Sequence, residues 1–322
     1  MPGFTTHYLF GQQTYQLLAP SALKRIIQKY HTVFSLGLQG PDIFFYDVLS
    51  FLSSKKNPGS VAHTADTKEF LQYLFESLRI FPEKKEQQTA HAYILGFIGH
   101  YLLDTKCHPY VYAMTHYNKK PKGYIGQHIR LETEIDAILL NRCLNKQPSE
   151  FHQNETIALS KEQQTTISAM LYYAFSKAYP RLGITRRRIV QAIHAMQLSA
   201  KLLYDPTGKK KAVIRRIETV VPGYPLLSPL VPADRSLSLK DPCNVRHRLW
   251  QNPWEPELES TESFFDLFER SLREYTVMLN VIARFFSRQH TAKEEAKAVS
   301  RLLGLLGNRC YHSGLSASPY IP

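Results

Sequence analysis

Cysteine is scarce in this chain. Four in 322 residues, Cys107, Cys143, Cys243 and Cys310, show no C-x-x-C spacing. That excludes a disulfide framework and a thiolate zinc site and leaves ordinary reduced thiols. No apolar run approaches the roughly 20 residues that span a bilayer. The start, Met1-Pro2-Gly3-Phe4-Thr5-Thr6-His7, lacks the basic stretch and apolar segment of a secretion signal, so the expected location is cytoplasmic. Strand alternation bounded by hairpin turns is essentially missing, and so is any internal repeat. Acidic residues are outnumbered, 27 against 40 Lys and Arg, for a net charge of +13. Such a balance favours anionic partners: phosphate esters, anionic lipid surfaces or nucleic acid. A solvated basic surface is the plainer account of the same charge.

What the chain does contain is helical periodicity. Apolar stripes with helix-start signals fall at Pro20–Tyr30 and, behind Asp66-Thr67-Lys68-Glu69, at Phe70–Phe81. Further helices are expected at about 87–106, 126–145, 161–179, 185–204, 261–288 and 292–306. The fold class is therefore all-α, one multi-helix domain over 1–322 with 43% hydrophobic residues to fill its core. A half spanning 1–150 carries the chemistry described next, and 151–322 is a helical remainder. Within it, 205–260 changes character: eight prolines, a basic cluster (Lys209, Lys210, Lys211, Arg215, Arg216) and Trp250-Gln251-Asn252-Pro253-Trp254. A loop-rich excursion of that length serves as a lid, a binding segment or a plain surface loop. His108 precedes Pro109, and the residue before proline avoids the α region. The central helix is thus expected to end near Cys107, with His108 swung from its tip.

Histidines and carboxylates recur at helical spacing: His63, then His100-x-x-x-Asp104-x-x-x-His108, then His128-x-x-x-Glu132, with Asp42 in Gly40-Pro41-Asp42. Residues four apart share a helix face, so His100 with Asp104 and His128 with Glu132 can each grip one cation. Imidazole and carboxylate without thiolate suit a borderline cation such as zinc. His108 lies roughly 12 Å along the axis from His100, which points to two metal positions on one wall. A single i,i+4 pair is more commonly a surface contact. Here, though, Ala92 to Asp104 is nearly uncharged, and a carboxylate buried in it needs a cation. Gly96 and Gly99 suit close backbone approach. Asp42, projected from a turn, is either a helix cap or a general base.

In order, His7, Asp42, His63, His100-x-x-x-Asp104, His108 and His128-x-x-x-Glu132 resemble the zinc-dependent phospholipase C family. That family shares its all-helical fold with the P1-type nucleases. Thr6-His7-Tyr8-Leu9-Phe10-Gly11 and Gly40-Pro41-Asp42-Ile43-Phe44-Phe45-Tyr46 are similar to its bacterial intracellular branch. The resemblance implies two to three zinc ions: one on His63, His100 and Asp104 with Asp42 close by, one on His108, His128 and Glu132. A third would use His7, with Asp104 bridging. It also implies Asp42 as general base in hydrolysis of a phosphodiester, either phospholipid or a related phosphoester, with peripheral membrane contact and nucleic acid as further partners. The chain departs from the pattern in three places. It begins Met1-Pro2, where secreted members present a tryptophan amine. It has only three residues between Asp104 and His108. It carries Ile43 where choline-selective enzymes have an aromatic residue. The other readings of the ligand set are a P1-type nuclease and a non-catalytic helical protein with structural zinc. A His-Asp phosphohydrolase is excluded by the missing dipeptide.

Overall fold

The structure is a computed structural model that describes residues 3–47, 56–220, 225–234, 239–287 and 291–317. In order these form α1 (Phe4–Leu17), α2 (Ala22–Lys29), α3 (His31–Gly37), a 3-10 turn (Gly40–Phe45), α4 (Pro58–Thr64) and α5 (Thr67–Glu76). Then come α6 (Lys84–Met114), α7 (Tyr124–Leu144), α8 (Gln153–Thr156), α9 (Lys161–Ala178), α10 (Arg186–Leu203) and α11 (Lys209–Val220). Last are β1 (Trp250–Asn252), β2 (Glu255–Ser260), α12 (Phe264–Phe286) and α13 (Ala292–Leu306). Helix starts follow sequence chemistry. Ser21, Asp66, Ser160, Thr185, Ser263 and Thr291 each accept the backbone N–H three residues on, an arrangement worth about 1 kcal/mol per helix.

Helix α6 is the axis of the fold. Its 31 residues run about 46 Å, and it is buried almost all round from Thr89 to Val111. A helix apolar on every side belongs inside a protein, and α1, α3, α9, α12 and the hairpin surround it. Glycines set the closest crossing. A Cβ on Gly96 would collide with the Phe34 carbonyl and lie 2.7 Å from Leu38 N, and one on Gly37 would collide with the Tyr93 carbonyl. The backbones of α3 and α6 therefore nearly touch, and that brings the turn after α3 against His100. One cluster of buried apolar side chains extends from Phe4 to Tyr311. Among the described residues no helix is long and apolar enough to cross a membrane.

Two expectations are corrected. Helix α6 does not end near Cys107; it continues through Pro109 to Met114. Proline removes the N–H that would bond the Thr105 carbonyl. The C-terminal segment packs there instead, with Gly314 at φ +68° so close that a Cβ would strike Thr105 O. With His108, Tyr110 and Val111 fully buried, tertiary packing overrides the local bias of a residue before proline. The loop-rich segment also contains regular structure: α11, and an antiparallel hairpin in which Trp250 pairs with Ser260. Its parts 221–224 and 235–238, like Met1-Pro2, lie outside the described residues.

Candidate metal centre

Five elements deliver the site. The N-terminus of α1 sits on the Asp136 carboxylate of α7, which accepts from Thr5 N (3.0 Å), Thr6 N (2.8 Å) and Thr6 Oγ1 (2.6 Å). An anion at a helix start satisfies orphan donors and the helix dipole. Gly3 leaves room, since a Cβ there would lie 2.5 Å from the Asp136 carboxyl carbon. Burial pushes the Asp136 pKa up to about 6 despite these bonds. The anchored helix carries His7 inward. The 3-10 turn carries Asp42, and α4, capped by Asn57, carries His63. Helix α6 carries His100, Asp104 and His108, and α7 carries His128 and Glu132.

The deep part of the site is dry. His7, His63, His100, Asp104 and His108 are 0% exposed and Asp42 3%. His63 Nδ1 lies 2.7 Å from Gly59 O, His100 Nδ1 3.0 Å from Leu38 O and His108 Nδ1 3.1 Å from Tyr311 O. A carbonyl only accepts, so each Nδ1 carries the hydrogen and each Nε2 offers its lone pair inward. There they meet carboxylates. His63 Nε2 is 3.1 Å from Asp42 Oδ1, His100 Nε2 is 3.2 Å from Asp104 Oδ2, and His7 Nε2 is 3.1 Å from Asp104 Oδ1. Yet both His7 ring nitrogens, His63 Nε2, His100 Nε2, His108 Nε2, Asp42 Oδ1 and both Asp104 oxygens are buried without a hydrogen-bond partner. Buried polar groups are not left so without compensation. A cation at the focus of these lone pairs supplies it, so the residues fit a metal.

The outer part is wetter. His128 Nε2 lies 3.0 Å from Glu132 Oε1, and these side chains are 13% and 12% exposed. His108 faces His128 at 6.4 Å between rings, although it has not left the helix. Three ligand groups have donor atoms within 4.8 Å of one another: His7 with Asp42 and His100, His63 with His100 and Asp104, and His108 with His128 and Glu132. Every sequence-derived site residue therefore falls into this one region. A proton and a cation compete for the lone pair of His63 Nε2. Burial alone would lower the His63 pKa, but Asp104 and Asp42 raise it to about 9. Burial lowers the pKa of His7 and His108 and keeps them neutral. Burial raises the Asp104 pKa, but interaction with the neighbouring His100 and His108 rings and the contacts from His100 and His63 hold it well below the carboxylate range. Asp42 lies inside the 3-10 turn rather than at its N-cap, which is Gln39; its backbone N–H bonds Gln39 O and its side chain faces the histidines. Cys107 is buried with a raised thiol pKa and joins no ligand group.

Two contributors carry no signal in the sequence. Tyr311 and His312 arrive from the C-terminal segment, with the His312 ring 5.5 Å from His63 and 5.7 Å from His108. Tyr112 stands 4.8 Å from His128 and 5.0 Å from Trp254 in the hairpin turn, forming an aromatic wall at the rim. Ile43 is fully buried in the core, not part of that wall.

An all-α fold built around a buried imidazole–carboxylate focus defines a helical metalloprotein. The family follows from the same stretch of chain. Residues 6–179, more than half of the sequence, match the model of the zinc dependent phospholipase C family, and the chain belongs to that family. The architecture is of its phospholipase C / P1 nuclease type, and the family and donor set together support zinc as the metal. Neither a curated protein nor a solved structure matches the chain.

Proposed function

We propose that the protein is a zinc-dependent phosphodiester hydrolase acting on phospholipid or a related phosphoester. In this reading His63, His100 and Asp104 hold one ion with Asp42 beside it, and His108, His128 and Glu132 hold another. His7 would serve a third, to which Asp104, 3.1 Å from its Nε2, would also contribute. The observation that carries the reading is the set of buried, unpartnered nitrogens and carboxylate oxygens facing one another within the family-matched region. Zinc, when bound, lowers the pKa of a coordinated water and neutralises phosphate charge. The chain supplies the rest. Asp42, on a rigid turn with Oδ1 directed into the focus, orients the attacking water and accepts its proton. The dry wall of α6 keeps the local dielectric low, and Tyr112 and Trp254 pack together beside His128 at the rim. The test compares phosphodiester turnover by wild type and Asp42→Asn protein of equal zinc content. Turnover should fall by about 10²–10⁴; a near-normal rate refutes the assignment of the base. A single-stranded oligonucleotide run as a parallel substrate separates this reading from the nuclease one.

Helix α11 supports a lipid substrate. None of its residues is buried, and Val213, Ile217 and Val220, at i, i+4 and i+7, are 58%, 60% and 83% exposed. Lys209, Lys210 and Arg216 flank that stripe. The Glu218 carboxylate accepts from Leu226 N and Leu227 N, which holds two more exposed leucines beside the helix. On its inner side the helix borders a cleft of about 930 Å³ lined by Arg130, Lys211 and Arg215. An apolar row between basic side chains suits an anionic bilayer surface. The protein should sediment with phosphatidylserine vesicles at low salt and not with phosphatidylcholine vesicles. Val213→Asp with Ile217→Asp should abolish that. Unchanged binding by the double variant overturns the docking face.

A further inference from the structure

The family match ends at residue 179, yet one more histidine reaches the site from near the C-terminus. After α13 the chain forms a strap pinned to the ligand-bearing elements. Asn308 Oδ1 accepts from Thr67 N (3.1 Å) and Lys68 N (3.2 Å) at the start of α5, and Arg309 N donates to Tyr101 Oη (3.0 Å) on α6. Tyr311 N donates to His63 O (3.1 Å), while Tyr311 O accepts from His108 Nδ1 (3.1 Å). Asn252 of the hairpin donates to Ser313 O (2.9 Å), and Gly314 presses on Thr105. The residues on both sides of His312 are therefore fixed, and each is fixed to something the site already depends on.

The ring of His312 takes one neighbour from each cluster: His63 of the deep group at 5.5 Å and His108 of the outer group at 5.7 Å, with Tyr112 at 5.2 Å. Within the ligand groups, His63 and His100 are 5.8 Å apart and His108 and His128 6.4 Å. His312 is thus as near to both clusters as their own members are to each other, yet it belongs to no ligand group. It is also half-buried where His63 and His108 are fully buried. It faces the seam between the two clusters from the solvent side.

We infer that His312 is a substrate-contacting residue: its imidazole N–H binds a phosphate oxygen of the phosphoester spanning the two clusters. The inference rests on the phosphoester reading above. His63, His100 and Asp104 and, beside them, His108, His128 and Glu132 would hold the cations that neutralise a phosphoryl group, and an imidazole N–H from His312 at the rim can donate to one of its oxygens. Among the described residues of the strap, His312 is the one whose ring packs against both His63 and His108, so a segment beyond the family-matched region contributes to the site.

The experiment uses zinc-loaded full-length protein and the variants His312→Asn and His312→Ala. Three quantities are measured: zinc equivalents, the rise in melting temperature caused by inorganic phosphate, and KM and kcat on a water-soluble phosphodiester. Zinc content should equal wild type, phosphate protection should shrink, and KM should rise roughly tenfold or more, the loss of a hydrogen bond to a charged group. Gly314→Ala, which forces the strap off Thr105 while keeping His312, should reduce phosphate protection as well. Loss of zinc from the His312 variants would make the residue a metal ligand and overturn the inference. So would phosphate protection equal to wild type. If wild type hydrolyses no phosphodiester, the proposed function fails, but phosphate protection still decides the role of His312.

Discussion

The two halves of the centre differ in what surrounds them. Asp42, His63, His100 and Asp104 are at most 3% exposed, and their ring N–H groups are held by backbone carbonyls. His128 and Glu132 are 13% and 12% exposed at the side chain, and His128 Nδ1 lies near two side-chain hydroxyls, Thr115 Oγ1 and Tyr124 Oη, both at 3.4 Å. In the deep half, unpaired donors are expensive and water cannot reach them, so an ion there is part of the folded structure. In the outer half water can stand in for an ion. On the proposed reading, an ion held by the deep group would serve stability first, and one held by the outer group would be exchangeable and open to substrate.

Staged chelation puts that contrast to its hardest test, with the largest expected effect. A mild chelator should remove outer zinc with little change in melting temperature. A strong one should remove the deep zinc, with a drop corresponding to about 4 kcal/mol if free zinc had stood 1,000-fold above its Kd. Melting followed against zinc content by mass spectrometry reads both steps. A single transition that loses all zinc at once would erase the distinction between the halves.

The next effect separates ligands inside the deep half. Asp104 touches His7, His63 and His100 through its two oxygens and lies 3.3 Å from His108 Nδ1. Asp104→Asn breaks several buried contacts at once and should cost about 3–5 kcal/mol together with most of the zinc. His7→Ala should cost less and spare the outer zinc, because His7 groups with Asp42 and His100 and touches Asp104, all in the deep half. Zinc-to-protein ratios of the two variants decide it. If His7→Ala strips all the metal and Asp104→Asn none, the bridging role is wrong.

The same contrast explains what could be read from the sequence. His100 with Asp104 and His128 with Glu132 were legible because helical spacing of four places both donors on one face whatever surrounds them. Asp42 was legible from Gly40-Pro41. The apolar stretch that makes α6 central was legible too, and so were Gly96 and Gly99 as contact points. The path of the helix past His108 was not. Proline's local bias is real, and only the packing of Gly314 and the buried Tyr110 and Val111 reverses it. His312 and Tyr311 lie about two hundred residues from the ligands they touch, with no periodicity linking them. Asp136 as the anchor of α1 is equally silent, since its partners Thr5 and Thr6 lie 130 residues upstream. Local spacing reveals pairs of donor groups on one helix face; the groups that orient them come from tertiary contacts.

The smallest expected effect tests that last point at the outer half. A histidine that binds a metal through Nε2 must donate its Nδ1 hydrogen, and the acceptor fixes the ring plane and strengthens the lone pair. For His63, His100 and His108 the acceptor is a backbone carbonyl, which no substitution at the acceptor residue removes. For His128 the acceptors in reach are hydroxyls, and Tyr124, one turn earlier on α7, supplies one of them. Tyr124→Phe deletes that oxygen and leaves the ring in place at 5.9 Å from His128. Thr115 still offers its own hydroxyl, so the loss should stay at or below about tenfold in zinc affinity, the lower end of what such partners contribute. Competition with a fluorescent chelator should show the weakening in the outer zinc alone. Deep zinc and the high-temperature melting transition should match wild type. Weakening of the deep zinc by the same degree would mean that the two halves share one hydrogen-bond network, and the division between them would have to be abandoned.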